Sequence, residues 1–213
     1  MPDVTSDGVR IHYEIKGIPQ HARDMARIVE AVGCGPVHVV GSSTGGAIAQ
    51  LLAIRHRELL RSATIVSSIA RADAFYRRQF AMRQRMLNDS GLRASTEANA
   101  LFLFDARFMR EHPQQVQAWV DATAAGTFEP EIGFARIEMI VGHDAFEDLP
   151  SISTPTLVVV GERDFCAPPY FSAEIAARIP GAELVMLDGG HFIFLEQPHL
   201  LYDTVAGFIA RHE

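Results

Sequence analysis

The stretch from residue 37 to residue 47 reads Val-His-Val-Val-Gly-Ser-Ser-Thr-Gly-Gly-Ala, a short apolar run that passes directly into a glycine-rich turn. Such a run is typical of a buried parallel strand, and helical sequence follows from 47 to about 56. Gly41-x-Ser43-x-Gly45 therefore stands between a strand and a helix, which is the setting of a nucleophile elbow. Ser43 is the predicted nucleophile. The N–H of Thr44, at the start of the helix, is the predicted oxyanion donor.

The rest of the chain alternates strands and helices. A hairpin is predicted over 3–16 around Asp7-Gly8, and a helix from Gln20 to Val32. Further strands are predicted over 62–67, 156–161 and 183–187, and further helices near 172–179 and 198–210. This alternation predicts an α/β fold with a mainly parallel sheet covered by helices on both faces.

Residues 69–149 depart from that alternation, because they contain no convincing strand. The segment is amphipathic and helical, with Phe75, Met82 and Met86 on one face. An all-helical insertion after a strong strand predicts a cap over the site. The expected organisation is therefore a core of residues 1–68 and 150–213 with a helical cap over 69–149.

A serine nucleophile needs a base, and the base needs an orienting carboxylate. Asp164 follows the strand at 156–161 and His191 follows the strand at 183–187, so both lie at the sheet edge that carries Ser43. Asp164 is the predicted acid and His191 the predicted base. Glu162 and Asp188 are the rival acids, and both are less well placed relative to their strands.

These residues also admit interpretations without catalysis. The elbow could be an ordinary glycine-rich turn, although it lacks the lysine of a phosphate loop and the Gly-x-Gly-x-x-Gly spacing of a dinucleotide site. His191 could be a surface histidine, and Asp164 a turn former beside Pro168. The order Ser, Asp, His at strand ends favours catalysis.

Two other features of the sequence have less certain roles. Cys166, close to the acid, is either a pocket liner or an inert filler, and the second role is favoured. Arginines in the cap could meet a carboxylate on the substrate, but a solvated helix face is the favoured interpretation. The arginines in question are Arg77, Arg78, Arg83 and Arg85.

Composition narrows the class of partner. A formal net charge of −7 without a Lys/Arg run argues against nucleic acid and against an anionic membrane surface. The histidines lack metal-ligand spacing, so we expect neither a metal nor another cofactor. The start of the sequence has no apolar export segment, and two cysteines fit a reduced compartment, so we expect a cytoplasmic protein that acts on a small molecule.

The chain resembles the α/β-hydrolase superfamily in three motifs. These are Val39-Val-Gly-Ser-Ser-Thr-Gly-Gly-Ala-Ile-Ala-Gln50, Pro155-Thr-Leu-Val-Val-Val-Gly-Glu-Arg-Asp164 and Gly189-Gly-His-Phe-Ile-Phe-Leu-Glu-Gln-Pro198. The cap segments Arg77-Arg-Gln-Phe-Ala-Met-Arg-Gln-Arg-Met-Leu87 and Leu101-Phe-Leu-Phe104 look like the 3-oxoadipate enol-lactonase and aminoacrylate hydrolase branch. The resemblance implies hydrolysis of a small ester or lactone through an acyl-enzyme on Ser43.

The sequence departs from the family between the hairpin and the first helix. In the family, two more strands and a helix lie there, with a His-Gly oxyanion loop, whereas here Lys16-Gly17-Ile18-Pro19 makes the connection and no His-Gly dipeptide occurs. The block would supply a second oxyanion N–H and a neighbour for the strand at 37–40. We expect a shortened sheet in which the hairpin pairs with that strand, a second copy covers it in a homodimer, or the chain is a damaged derivative.

The sequence leaves several functions open. Hydrolysis of an ester or lactone is the favoured one. Carbon–carbon bond hydrolysis and cofactor-free perhydrolysis use the same triad. A catalytically weak or silent protein that binds a small ligand is the alternative from another class, favoured by the missing loop and opposed by the intact triad.

Overall fold

A sheet of four parallel strands lies at the centre of the structure, a computed structural model that describes residues 3–6, 9–12, 17–126 and 130–213. The strands are β1 (Asp3–Ser6), β2 (Val9–His12), β3 (Val37–Ser42), β4 (Leu60–Val66), β5 (Thr156–Gly161) and β6 (Glu183–Leu187). The helices are α1 (Gly17–Val32), α2 (Thr44–Arg55), α3 (Ala74–Leu103), α4 (Ala106–Glu111), α5 (Pro113–Ala124), α6 (Pro130–Val141), α7 (Pro169–Arg178), α8 (Ile193–Glu196) and α9 (Pro198–Ala210).

The four-stranded sheet has the order β3-β4-β5-β6, and every neighbouring pair is parallel. Successive side chains of a strand point to opposite faces, and β5 shows that both faces are covered. Leu157 and Val159 pack with Phe208 of α9, whereas Val158 belongs to the larger core that contains Ile175 of α7. The predicted α/β fold with helices on both faces is therefore confirmed.

The turn between β3 and α2 is a single residue. β3 ends at Ser42 and α2 begins at Thr44, so Ser43 alone connects strand to helix. The predicted strand–turn–helix setting of the serine is present, and the helix begins three residues earlier than the sequence suggested.

Helices α3 to α6 follow β4 and precede β5. Within the described part of 69–149 no strand forms, and the only bridge is the isolated pair Arg71–Asp144. Gly91 divides α3 with a φ of 77° and a ψ of 179°, a conformation that glycine adopts at low cost. α3 packs against α5 and α6.

β3 is an edge strand in the described chain. It pairs with β4 only, and Val40 is 51% exposed. β1 and β2 are antiparallel as predicted, with Asp3 opposite His12, but they form a sheet of their own. Direct pairing of the hairpin with the elbow strand, one of the three possibilities raised by the short connection, is therefore not what the structure shows. The turn at Asp7-Gly8 and residues 13–16 lie outside the described residues.

None of the described helices is both long enough and apolar enough to cross a membrane.

Candidate active site

Ser43 occupies a strained turn. Its φ is 54° and its ψ is −117°, a conformation that costs a residue other than glycine on the order of 1–3 kcal/mol. The surrounding turn admits this only because two neighbours lack side chains. A Cβ on Gly41 would lie 2.1 Å from the Gly45 carbonyl oxygen, and one on Gly46 would lie 2.5 Å from the Ser68 Cβ. The glycines therefore allow the close packing that the turn requires.

Hydrogen bonds from the next strand hold the turn. The Ser43 N–H donates to the Val66 carbonyl at 2.8 Å, and the Ser68 hydroxyl donates to the Ser43 carbonyl at 2.7 Å. The Thr44 N–H opens α2, and the first N–H groups of a helix have no intrahelical acceptor. Its position suits the predicted oxyanion role, which stays a prediction.

The structure brings Ser43, His191 and Asp164 together from three strand ends. His191 Nε2 lies 3.1 Å from Ser43 Oγ, and His191 Nδ1 lies 3.0 and 2.9 Å from the two carboxylate oxygens of Asp164. Asp164 is 3% exposed and His191 is 2% exposed. The three side chains thus stand in the hydrogen-bond contacts that a nucleophile, its base and an orienting carboxylate would need.

The loop between β5 and α7, which we call the acid loop, directs the Asp164 side chain into the protein. The Asp164 N–H donates to the Gly161 carbonyl at 3.0 Å, and the Ala167 N–H donates to Asp164 Oδ1 at 2.7 Å. The rival acids face elsewhere. Asp188 pairs with Arg163 and with Arg107, and Glu162 lies 3.9 Å from Arg163. Of the three acids considered, Asp164 is the one that contacts the histidine.

The buried carboxylate of Glu196 stabilises the loop between β6 and α8, which carries His191 and which we call the histidine loop. Glu196 Oε2 accepts from the Gly190 N–H at 2.5 Å, and Oε1 accepts from the Asp105 N–H at 2.7 Å. Burial raises the pKa of Glu196, and those two N–H groups oppose the rise. Because Gly190 precedes His191 and Asp105 follows α3, one side chain joins the loop of His191 to the segment after α3. Sequence analysis did not single out Glu196, although its place in the third motif was a signal.

The electrostatics of the histidine depend on Cys166. Burial opposes the imidazolium form, but the Cys166 sulfur and the Asp164 carboxylate favour it and hold the pKa of His191 well above its ordinary value. Cys166 is 2% exposed, and it follows Asp164 by two residues in the same loop. Its two predicted roles, pocket liner and the favoured inert filler, both stay predictions.

The cap arginines do not all share one environment. Arg77, Arg78 and Arg85 are exposed, as a solvated helix face predicts, but Arg83 is half-buried and its Nη1 lies 3.5 Å from Cys166 Sγ. Gln79, one turn earlier on α3, donates from Nε2 to the Cys166 carbonyl at 3.0 Å. Sequence analysis missed Gln79. The spacing of four residues between Gln79 and Arg83 was the available signal.

Within the described ranges, no group of three or more His, Cys, Asp or Glu side chains is arranged to hold a metal ion.

Comparison with known proteins assigns the family. The model of the alpha/beta hydrolase fold matches residues 14–198 of the chain. The chain belongs to the α/β-hydrolase family. A relative from Azorhizobium caulinodans, provisionally named carbamate hydrolase RutD, is 36% identical over 197 residues, which are 91% of this α/β hydrolase and 73% of the relative.

Solved structures show the same fold. The enol-lactonase from Burkholderia xenovorans LB400 has a TM-score of 0.83 at 24% identity and covers 93% of this α/β hydrolase and 75% of its own chain. The structure of Est816, described as an N-acyl homoserine lactone degrading enzyme, has a TM-score of 0.79 at 25% identity, with coverages of 92% and 77%. The predicted superfamily is therefore confirmed.

Proposed function

We propose that this α/β hydrolase cleaves a small acyl substrate through an acyl-enzyme on Ser43. The observation that carries the proposal is the relay of hydrogen-bond contacts from Ser43 Oγ through His191 to Asp164, with distances of 3.1 and 2.9 Å. All three side chains stand at strand ends, and the strained elbow presents the serine at the start of a helix.

In the proposed mechanism each group has one role. His191 Nε2 takes the Ser43 proton as Oγ attacks the carbonyl carbon, and the imidazolium then protonates the leaving oxygen. Asp164 fixes the tautomer with the proton on Nδ1 and stabilises the imidazolium. The Thr44 N–H donates to the developing oxyanion. Water, activated by His191, then hydrolyses the acyl-enzyme.

The substrates that fit this chemistry are esters, lactones and carbamates. All three present a carbonyl carbon with an oxygen leaving group, so one triad serves them. The names of the relatives support this range, since one is provisionally a carbamate hydrolase and another structure is described as a lactone-degrading enzyme.

A silent ligand-binding protein is the second candidate. The missing His-Gly loop favours it, because losing one oxyanion donor costs on the order of 10²- to 10³-fold in turnover. The contacts of all three triad members oppose it, since ligand binding alone does not require a serine–histidine–aspartate relay.

The test is the hydrolysis of 4-nitrophenyl butyrate, of γ-butyrolactone and of a small alkyl carbamate by the wild type and by Ser43→Ala. The account predicts turnover that falls by roughly 10³-fold or more in the variant. Ser42→Ala, which removes the neighbouring hydroxyl, is the matched control and should retain activity. Turnover that survives in Ser43→Ala would contradict the proposal, and a folded protein without turnover would favour the silent binder.

A further inference from the structure

Gln79 and Arg83 bring two polar groups of the cap to the loop that carries Asp164. Both contact Cys166: Gln79 Nε2 lies 3.6 Å from Sγ, and Arg83 Nη1 lies 3.5 Å from the same atom. Cys166 belongs to the loop that also carries Asp164, whose carboxylate contacts His191 Nδ1. The pair therefore lies beside the loop that holds the predicted acid.

Arg83 forms no ion pair with an aspartate or glutamate among the described side chains, and the acidic group that it contacts is the Cys166 thiol, 3.5 Å from Nη1. Its Nε donates to the neutral amide oxygen of Asn99 at 2.7 Å, and its guanidinium lies 4.5 Å from the centre of the Phe80 ring. The ion pairs found for other cap arginines, such as Arg93 with Asp121, have no counterpart at Arg83 within that part of the chain. A guanidinium has five N–H donors, and without a carboxylate partner some of those of Arg83 are available to an anion from outside the protein.

Gln79 leaves one acceptor unused. The side chain is 5% exposed, and its Oε1 is buried without a hydrogen-bond partner in the described structure. The bond from Nε2 to the Cys166 carbonyl fixes which end of the amide is which, because only the nitrogen donates. A buried acceptor without a donor destabilises the folded protein. A ligand N–H or O–H would satisfy it.

Aromatic rings surround this polar pair. Phe102 lies 5.8 Å from the Arg83 guanidinium, and it packs against Phe165 of the acid loop at 5.5 Å between ring centres. Phe75 meets Phe165 edge to face at 5.9 Å. Apolar walls with a few placed polar groups are the usual composition of a small-molecule site.

We propose that Arg83 and Gln79 form a substrate subsite for an anionic oxygen group, such as a carboxylate, with an N–H or O–H donor beside it. Arg83 binds the anionic oxygen and Gln79 Oε1 accepts from the donor. The subsite rests on the proposed function for its place in the reaction, and it names the class of substrate as an acyl compound that carries a carboxylate and a hydrogen-bond donor.

The kinetic test compares monomethyl succinate, which is anionic, with methyl butyrate, which is neutral. In Arg83→Gln the ratio of kcat/KM for the anionic over the neutral ester should fall about 10- to 100-fold. Arg83→Lys should recover part of the ratio. Arg85→Gln removes an exposed arginine of the same helix and should leave the ratio unchanged. A ratio unaffected by Arg83→Gln would overturn the subsite.

A binding test separates the subsite from catalysis. Malonamate and propionate both carry one carboxylate, but only malonamate carries an N–H donor, so the wild type should bind malonamate more tightly by calorimetry. Gln79→Met should remove that preference, and Arg83→Gln should weaken the binding of both ligands. If no ester is hydrolysed but these differences appear, the proposed function fails and the subsite stands. Equal binding of the two ligands, or binding unaffected by both variants, would overturn the subsite.

Discussion

Neighbouring groups and burial have opposite effects on the protonation of the His191 ring. Burial disfavours the imidazolium, whereas the Cys166 sulfur and the Asp164 carboxylate favour it, with a net rise in the pKa of His191. A base works only in its neutral form. The raised pKa therefore places the onset of activity at a higher pH than an ordinary histidine would give, and the rate should increase as the pH passes upward through that pKa.

Replacing Cys166 should move this onset. Cys166→Ala removes a group that stabilises the imidazolium, so the pKa of His191 falls and the rising limb of kcat/KM against pH shifts to lower pH. Cys34→Ala, which alters the exposed cysteine, is the control and should leave the profile in place. An unshifted limb in Cys166→Ala would show that the thiol does not influence the base.

The histidine loop and the end of α3 are joined through Glu196. Its two carboxylate oxygens serve N–H groups of two different segments, and the Phe192 N–H adds a bond of 2.8 Å to the Leu103 carbonyl. The ion pair between Arg163 and Asp105, at 2.8 Å, lies beside the same junction. The end of α3 is therefore anchored at the loop that carries His191.

Truncating Glu196 should damage both stability and turnover. Glu196→Ala leaves two buried N–H groups without an acceptor, which should lower the free energy of unfolding by about 2–4 kcal/mol. It should also reduce kcat more than it changes KM, because the histidine loses its support. Glu196→Gln keeps one acceptor oxygen, so its free energy of unfolding and its kcat should lie between those of the wild type and of Glu196→Ala. Urea titration and ester kinetics measure both effects, and an alanine variant with wild-type kcat would contradict the positioning role.

The elements that sequence predicted well share a physical cause. A short apolar run rich in valine, such as 156–161, favours a buried strand. Parallel strands all end at one edge, so the sequence alone could bring Ser43, Asp164 and His191 together. Arg83 could not be separated from Arg77, Arg78 and Arg85 in this way. The direction of the Arg83 side chain depends on how α3, which is divided at Gly91, packs against the loop of Asp164. The periodicity of a single segment does not predict such packing.

At the scale of the whole molecule, His143 couples folding to pH. It is 5% exposed, and its Nε2 faces Gln50 of α2 at 3.5 Å. Burial lowers its pKa from 6.5 to about 4, with Asp144 opposing the shift and Arg55 adding to it. Between these values the unfolded chain binds the proton and the folded chain does not. Stability is therefore lost as the pH falls from 6.5 toward about 4.

This loss should be measurable in Tm. The shift corresponds to about 3 kcal/mol at most, and His143→Gln should flatten the decline of Tm over that pH range even if it lowers Tm at neutral pH. His199→Gln changes an exposed histidine and should keep the wild-type decline. If the Tm of His143→Gln falls with decreasing pH as steeply as the Tm of the wild type, other groups control the loss of stability in acid.

The short connection between the predicted hairpin and α1 affects the whole sheet. Sequence analysis identified the missing strands but could not decide what replaces them, because strand pairing is a long-range choice that local patterns do not encode. Among the residues that the structure describes, β3 has no partner on one side, and Val40 is 51% exposed, although the elbow geometry is intact. The site is therefore built from β3 to β6 and the loops that follow them.

Covalent labelling by a fluorophosphonate probe tests the central claim most directly, because the probe reacts with a serine only when its base and oxyanion donor are in place. Intact-mass analysis of the wild type should show one added label, Ser42→Ala should label equally, and Ser43→Ala should not label. A folded wild type that fails to react, or a Ser43→Ala variant that reacts as fast as the wild type, would contradict an assembled Ser43–His191–Asp164 site.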